Sequence, residues 1–217
     1  MPASVVAAPA PRFLFDGPPQ GPTLVLAHGA GAPMDSPFLA AMAAGLAERG
    51  LRVARFEFSY MAARREGAGS KVPDREPELR RAWLAAIAEL GGGPRLWIGG
   101  KSLGGRIASM IADEAGVRGL VCLGYPFRPP GAAAPAVVKR TAHLRELRTP
   151  TLIVQGTRDP FGGPAEVAGY ALAAGIRIRW IDDGDHSLVP RKSSGRTAAQ
   201  NLAEAVAAVA GFVLGGG

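Results

Sequence analysis

Three side chains in this sequence have the types and the order that nucleophilic catalysis needs: Ser102, Asp159 and His186. A serine hydroxyl attacks poorly unless a base takes its proton, and the best base is a histidine oriented by a carboxylate. Ser102 lies within Gly100-Lys101-Ser102-Leu103-Gly104. The apolar run Arg95-Leu96-Trp97-Ile98 precedes it, and Arg106 to Ala112 follows with apolar residues at helical spacing at 107, 110 and 111. A Gly-x-Ser-x-Gly at a strand-to-helix junction holds its serine out on a sharp, strained turn. Gly100 and Gly104 are expected because a Cβ at either place would strike a neighbouring strand or helix. With 30 glycines in 217 residues the bare motif is a weak signal. Its weight comes from its position and its partners.

The chain has three histidines, at 28, 143 and 186. His143 falls in a short predicted helix and His28 opens a glycine loop, which it is expected to brace. His186 follows the last predicted strand. The order nucleophile, acid, histidine selects Asp159, held between Gly156 and Pro160, as the orienting carboxylate. Asp182, Asp183 and Asp185 compete for that role but crowd His186 in sequence; a carboxylate from a separate strand end reaches an imidazole more naturally. A tetrahedral intermediate also needs N–H donors for its oxyanion. The N–H of Leu103, after the nucleophile, is one. The loop His28-Gly29-Ala30-Gly31 is expected to supply the other from Ala30.

These residues need a scaffold that brings strand ends together. Thr23 to Ala27, Leu51 to Phe58, Leu96 to Ile98, Arg118 to Gly124, Thr151 to Val154 and Ile176 to Ile181 read as strands. Most are continuously apolar, as strands buried on both faces must be. Helices are predicted over 38–49 (Pro37 at its start, Gly50 as its stop), 78–90, the segment after the elbow to about Gly116, 142–147, 164–174 and 197–214. Short strands are also expected at 5–8 and 13–15. The stretch 59–77, with Gly67, Gly69, Pro73 and Pro77, reads as a long loop. The alternation predicts an α/β fold: a doubly wound, mostly parallel sheet with helices on both faces, a single domain over 1–217 with an irregular lead-in over 1–22. In such sheets a site forms beyond the carboxyl ends of the strands, where His28, Ser102, Asp159 and His186 all fall.

Composition bounds the alternatives. Apolar residues make up 47% and charged residues 20%, as in a globular chain. The apolar runs are too short to span a membrane, and residues 1–11 lack the pattern of a secretory signal. Cys122 stands alone, so no internal disulfide is possible; it lies in an apolar run and is expected to be a core thiol, and the cytoplasm is the expected compartment. The net charge of +7 is spread along the chain without a basic stripe or aromatic interleaving, so no nucleic-acid partner is expected.

The segments His28-Gly29-Ala30-Gly31-Ala32-Pro33-Met34, Gly99 to Arg106, Cys122 to Phe127, Gln155 to Gly162 and Asp183-Gly184-Asp185-His186 resemble the α/β-hydrolase superfamily. The likeness is closer to its small bacterial members with no or minimal cap, related to dienelactone hydrolases and to the hydrolase-like domain of the third subunit of the non-specific-lethal chromatin complex. The resemblance implies the triad already named, with no cofactor and no metal. Dienelactone hydrolases use a cysteine nucleophile where serine stands here, so the resemblance stops at reaction class. The expectation is a serine hydrolase of carboxylic esters or thioesters; the alternative is a hydrolase-shaped binding or scaffold protein without turnover. The expected partner is a small-molecule ester. Tyr60, Arg64, Lys101, Tyr125 and Arg191 are expected to line its site. With Arg65, Arg158 and Lys192, the cations among them form a basic rim that would favour an anionic ester.

Overall fold

The computed structural model describes residues 11–129 and 140–217. Seven strands form one sheet: β1 (Phe13–Asp16), β2 (Thr23–Ala27), β3 (Arg52–Phe56), β4 (Leu96–Lys101), β5 (Gly119–Leu123), β6 (Thr151–Gly156) and β7 (Ile176–Ile181), in the order β1-β3-β2-β4-β5-β6-β7. Only β1 runs antiparallel, pairing Phe13 with Phe56 and Asp16 with Val53. The other pairs are parallel. The sheet is therefore doubly wound as expected, and part of the predicted lead-in is its edge strand. The strand expected at 5–8 lies outside the described residues.

Strand alternation divides the core in two. Leu24, Leu26, Trp97, Val121, Leu123, Leu152 and Val154 face α1 (Pro37–Ala47) and the C-terminal helix Ala198–Leu214. Val25, Ala27, Ile98, Leu120, Cys122 and Ile153 face the opposite layer. That layer holds α2 (Ser59–Arg65), α3 (Glu76–Glu89) and α4 (Leu103–Ile111). Continuous apolar runs in the central strands are thus explained by two buried faces. Two helices have clear local starts. Pro37 occupies the first turn of α1, and Thr197 caps the C-terminal helix in a reciprocal box with Gln200. Among the described residues no helix is long and apolar enough to cross a membrane.

Three segments depart from expectation. The predicted loop over 59–77 begins as α2, because Tyr60 and Met61 bury against the core and the glycine and proline breakers all lie beyond Arg65. The helix predicted over 164–174 is the single turn α5 (Pro164–Val167). Past Gly169 the chain leaves the helix, and the Ala173 N–H donates instead to Leu144 O. Leu144 lies in the 3-10 turn Ala142–Arg145, which replaces the helix expected there. The C-terminal helix is α6 (Ala198–Leu214).

The elbow helix is pressed onto the sheet. A Cβ on Gly104 would stand 2.5 Å from Ala27 O and 2.7 Å from His28 O; one on Gly100 would stand 2.3 Å from Ala27 O. Trp83 of α3 seals the other side, its Nε1 donating to Gly104 O at 3.2 Å. Gly104→Ala should therefore wedge α4 off β2 at a cost of about 2 kcal/mol or more. Gly31→Ala, with open space around its Cβ, should leave stability unchanged. Urea unfolding midpoints of the two variants check this; a wild-type midpoint for Gly104→Ala would contradict the packing described.

Candidate active site

Ser102 stands at the carboxyl end of β4, at φ 50° and ψ −111°, a backbone conformation a non-glycine residue adopts only under constraint. The constraint is visible: its N–H donates to Leu123 O at 3.0 Å, and its carbonyl accepts from Arg106 N in the first turn of α4. The side chain is thereby held at the sheet edge beside the loop after β2, where a Cβ on Gly29 would lie 3.7 Å from Ser102 Cβ.

Asp159 follows β6 and is 3% exposed. A carboxylate buried this deeply must be fully hydrogen-bonded. Its Oδ1 accepts from Phe161 N at 2.9 Å, and its Oδ2 accepts from Gln155 Nε2 at 2.9 Å and from His186 Nδ1 at 2.8 Å. With Nδ1–H committed to the carboxylate, the Nε2 lone pair of His186 remains available to take a proton. Phe161 packs on the imidazole with ring centroids 4.4 Å apart. Among the described residues no hydrogen bond joins Ser102 Oγ to His186; such bonds are commonly long before substrate is present and tighten in the complex.

The competing carboxylates are otherwise engaged. Asp183 accepts from Arg191 N at 2.6 Å and Nε at 2.8 Å and pairs with Arg158 at 3.0 Å; these contacts, Arg191 foremost, lower its pKa from the ordinary carboxylate value. Asp185 caps the histidine loop, its Oδ1 accepting from Ser187 N and Val189 N. Asp182 is exposed. Only Asp159 meets His186.

His28 is fully buried, and burial lowers its pKa. Its Nε2 accepts from Phe58 N at 3.1 Å, so the proton sits on Nδ1 and is donated to Gly29 O at 2.6 Å. This neutral ring braces the loop that carries Ala30. Among the described residues, neither the Ala30 N–H nor the Leu103 N–H has a hydrogen-bond acceptor.

The residues expected to line the substrate site differ in burial and partners. Tyr60 is 3% exposed; its hydroxyl donates to Ala30 O at 3.0 Å and reaches Gly29 O at 3.4 Å, so it supports the loop from beneath. Burial raises its pKa to about 12. Tyr125 is wholly buried, with its hydroxyl turned to Arg140 O at 2.9 Å and to His143. Both side chains are buried, with their hydroxyls engaged within the protein. Arg191 is spent on Asp183, and Lys101 Nζ donates to His186 O at 2.5 Å. Half of the basic rim is ion-paired: Arg65 pairs with Glu57 and Asp35, while Arg158 and Arg191 share Asp183. Arg64, half-buried at the end of α2, and exposed Lys192 make no ion pair among the described residues. With Lys101, whose bond to a carbonyl leaves its charge in place, three of the six rim cations lack an ion pair among the described residues.

Sequence reasoning missed Gln155. It is fully buried; its Oε1 accepts from Tyr125 N at 2.7 Å, and its Nε2 reaches Tyr125 O, Asp159 Oδ2 and Gly162 O. The signal was present: one polar side chain closing an otherwise apolar run, four residues before the candidate acid. Cys122 is buried as expected, and burial pushes its thiol up. Among the described residues no cluster of His, Cys, Asp or Glu is placed to hold a metal ion.

Comparison with known proteins agrees with this architecture. Residues 20–214 match the family described as the alpha/beta hydrolase domain. The chain belongs to the α/β-hydrolase family. Its fold is shared with Est1E from Butyrivibrio proteoclasticus, solved with ferulic acid bound (TM-score 0.65, 17% identity, 94% of each chain covered). It is shared with a serine hydrolase without a lid from Xanthomonas campestris (TM-score 0.58, 18% identity, 94% of this chain and 86% of that one). A monoacylglycerol lipase from Paleococcus ferrophilus matches with TM-score 0.69 at 14% identity, over 95% of this chain and 99% of that one. At these identities the likeness is one of fold.

Proposed function

We propose that this α/β-hydrolase is a serine hydrolase of carboxylic esters or thioesters that works through an acyl-enzyme. The observation carrying the proposal is the 2.8 Å bond between His186 Nδ1 and the buried Asp159 carboxylate, at the same sheet edge as the strained Ser102. Ser102 Oγ attacks the acyl carbon as His186 Nε2 takes its proton. The oxyanion forms beside the N–H groups of Ala30 and Leu103, at the start of a helix whose dipole favours negative charge. On collapse Nε2–H protonates the leaving alcohol or thiol. Water then repeats the sequence with the same base, releasing the acid and restoring Ser102. Asp159 stays ionised, fixing the tautomer and offsetting the imidazolium charge. All proton transfers are accommodated by these residues, so the chemistry calls on no cofactor. The partner is a small-molecule ester.

A fluorophosphonate probe tests the reading without knowledge of the substrate. It should form one covalent adduct, mapped by mass spectrometry to Ser102 and lost in His186→Ala. Absence of an adduct in folded protein would favour a non-catalytic scaffold.

A further inference from the structure

We propose that Lys101 is a positioning residue for catalysis: it ties the backbone of the histidine loop to the nucleophile elbow and so sets where the His186 imidazole stands relative to Ser102. The inference rests on the triad reading above. Lys101 is the last residue of β4, adjacent to Ser102, yet 85 positions from His186, whose carbonyl its Nζ engages at 2.5 Å. The ammonium also lies 5.7 Å from the Phe38 ring of α1.

Two observations show that the structure is built around this tether. The first is Gly124, just past β5, with φ 67°. A Cβ there would stand 2.8 Å from Lys101 Nζ, 2.9 Å from His186 O and 3.2 Å from His186 Nδ1, so the glycine leaves the space that the contact fills. The second is the histidine loop, which carries positive φ at Asp183 (51°) and Leu188 (65°). Strained backbone persists only where its surroundings over-determine it. Asp183 is held by Arg158 and Arg191, and Leu188 O accepts from Asn201 Nδ2 at 2.8 Å. Between these anchors, the His186 carbonyl accepts only from Lys101 among the described residues.

The charge environment gives the tether a pH dependence. Lys101 faces the Asp159 and Asp185 carboxylates, which favour its ammonium form, but burial dominates and lowers its pKa to about 8. A charge-assisted hydrogen bond is roughly twice as strong as a neutral one. The tether is therefore strongest below pH 8 and weakens as pH rises through that value.

The test uses p-nitrophenyl acetate with wild type, Lys101→Met and Ser102→Ala. Lys101→Met removes the donor while keeping the stem, and should lower kcat about tenfold or more, with KM changed less than about threefold. Wild-type kcat should decline above pH 8, and Lys101→Met should lack that alkaline limb. Lys101→Leu, which also lacks a donor, substitutes if the methionine variant does not fold. A variant with wild-type kcat, or one that keeps the limb, overturns the proposal. Ser102→Ala separates the two claims: full activity there sinks the triad reading, not the tether. The tether is then read from the downfield Nδ1–H proton resonance of His186, which should shift or broaden in Lys101→Met. An unaltered resonance would overturn it.

Discussion

Ser102→Ala should lower kcat for p-nitrophenyl acetate by on the order of 10⁴ to 10⁶, with the fold intact. The hydroxyl is the only group lost. The Ala30 and Leu103 donors and the His186–Asp159 pair remain, so a residual acceleration over the uncatalysed reaction should survive. A second substitution separates chemistry from strain. Ser102 sits at φ 50°, where alanine is about as uncomfortable as serine and glycine is not. Ser102→Gly should be as inactive as Ser102→Ala but more stable than wild type by about 1 kcal/mol, seen as a higher urea midpoint. An active Ser102→Ala would remove the nucleophile assignment. A Ser102→Gly protein no more stable than wild type would show that the elbow stores no strain.

The candidate positions Ser102, Asp159 and His186 were legible because each lies in the turn or loop after a predicted strand: Ser102 directly after β4, Asp159 three residues beyond β6 and His186 five beyond β7. Thr23 to Ala27 matches β2 residue for residue, and the strand before Ser102 needs apolar residues on both sides because two helical layers cover it. Segments governed by tertiary pairing were not legible. Tyr60 and Tyr125 follow strand ends in sequence; their rings fill the core, and their hydroxyls find partners there. The cationic rim looked free in sequence because pairing is settled by loops that meet only in space. Arg65 meets Asp35 across 30 positions, and Arg158 meets Asp183 across 25. The Lys101–His186 contact is longer still, and no local pattern announces it.

Asp159→Asn should lower kcat by on the order of 10⁴, whereas Asp185→Asn should stay within a few-fold of wild type. Three donors surround Asp159. If the new amide puts its NH₂ at the Oδ1 position, it opposes the Phe161 N–H; at the Oδ2 position it opposes both Gln155 Nε2 and the Nδ1–H of His186. Either way a buried donor faces a donor, at a cost of about 1–3 kcal/mol. In the second arrangement the clash can be relieved by moving the imidazole proton from Nδ1 to Nε2, and that relief disables catalysis, because Nε2 can then no longer accept the Ser102 proton. The first arrangement keeps the productive tautomer but loses the negative charge that stabilises the imidazolium. Asp185 differs in kind: its Oδ1 accepts from Ser187 N and Val189 N, and an asparagine oxygen can do the same. Kinetics of the two variants on p-nitrophenyl acetate decide the matter. A larger loss in Asp185→Asn than in Asp159→Asn would transfer the orienting role to the loop carboxylate and leave the buried Asp159 with a structural one.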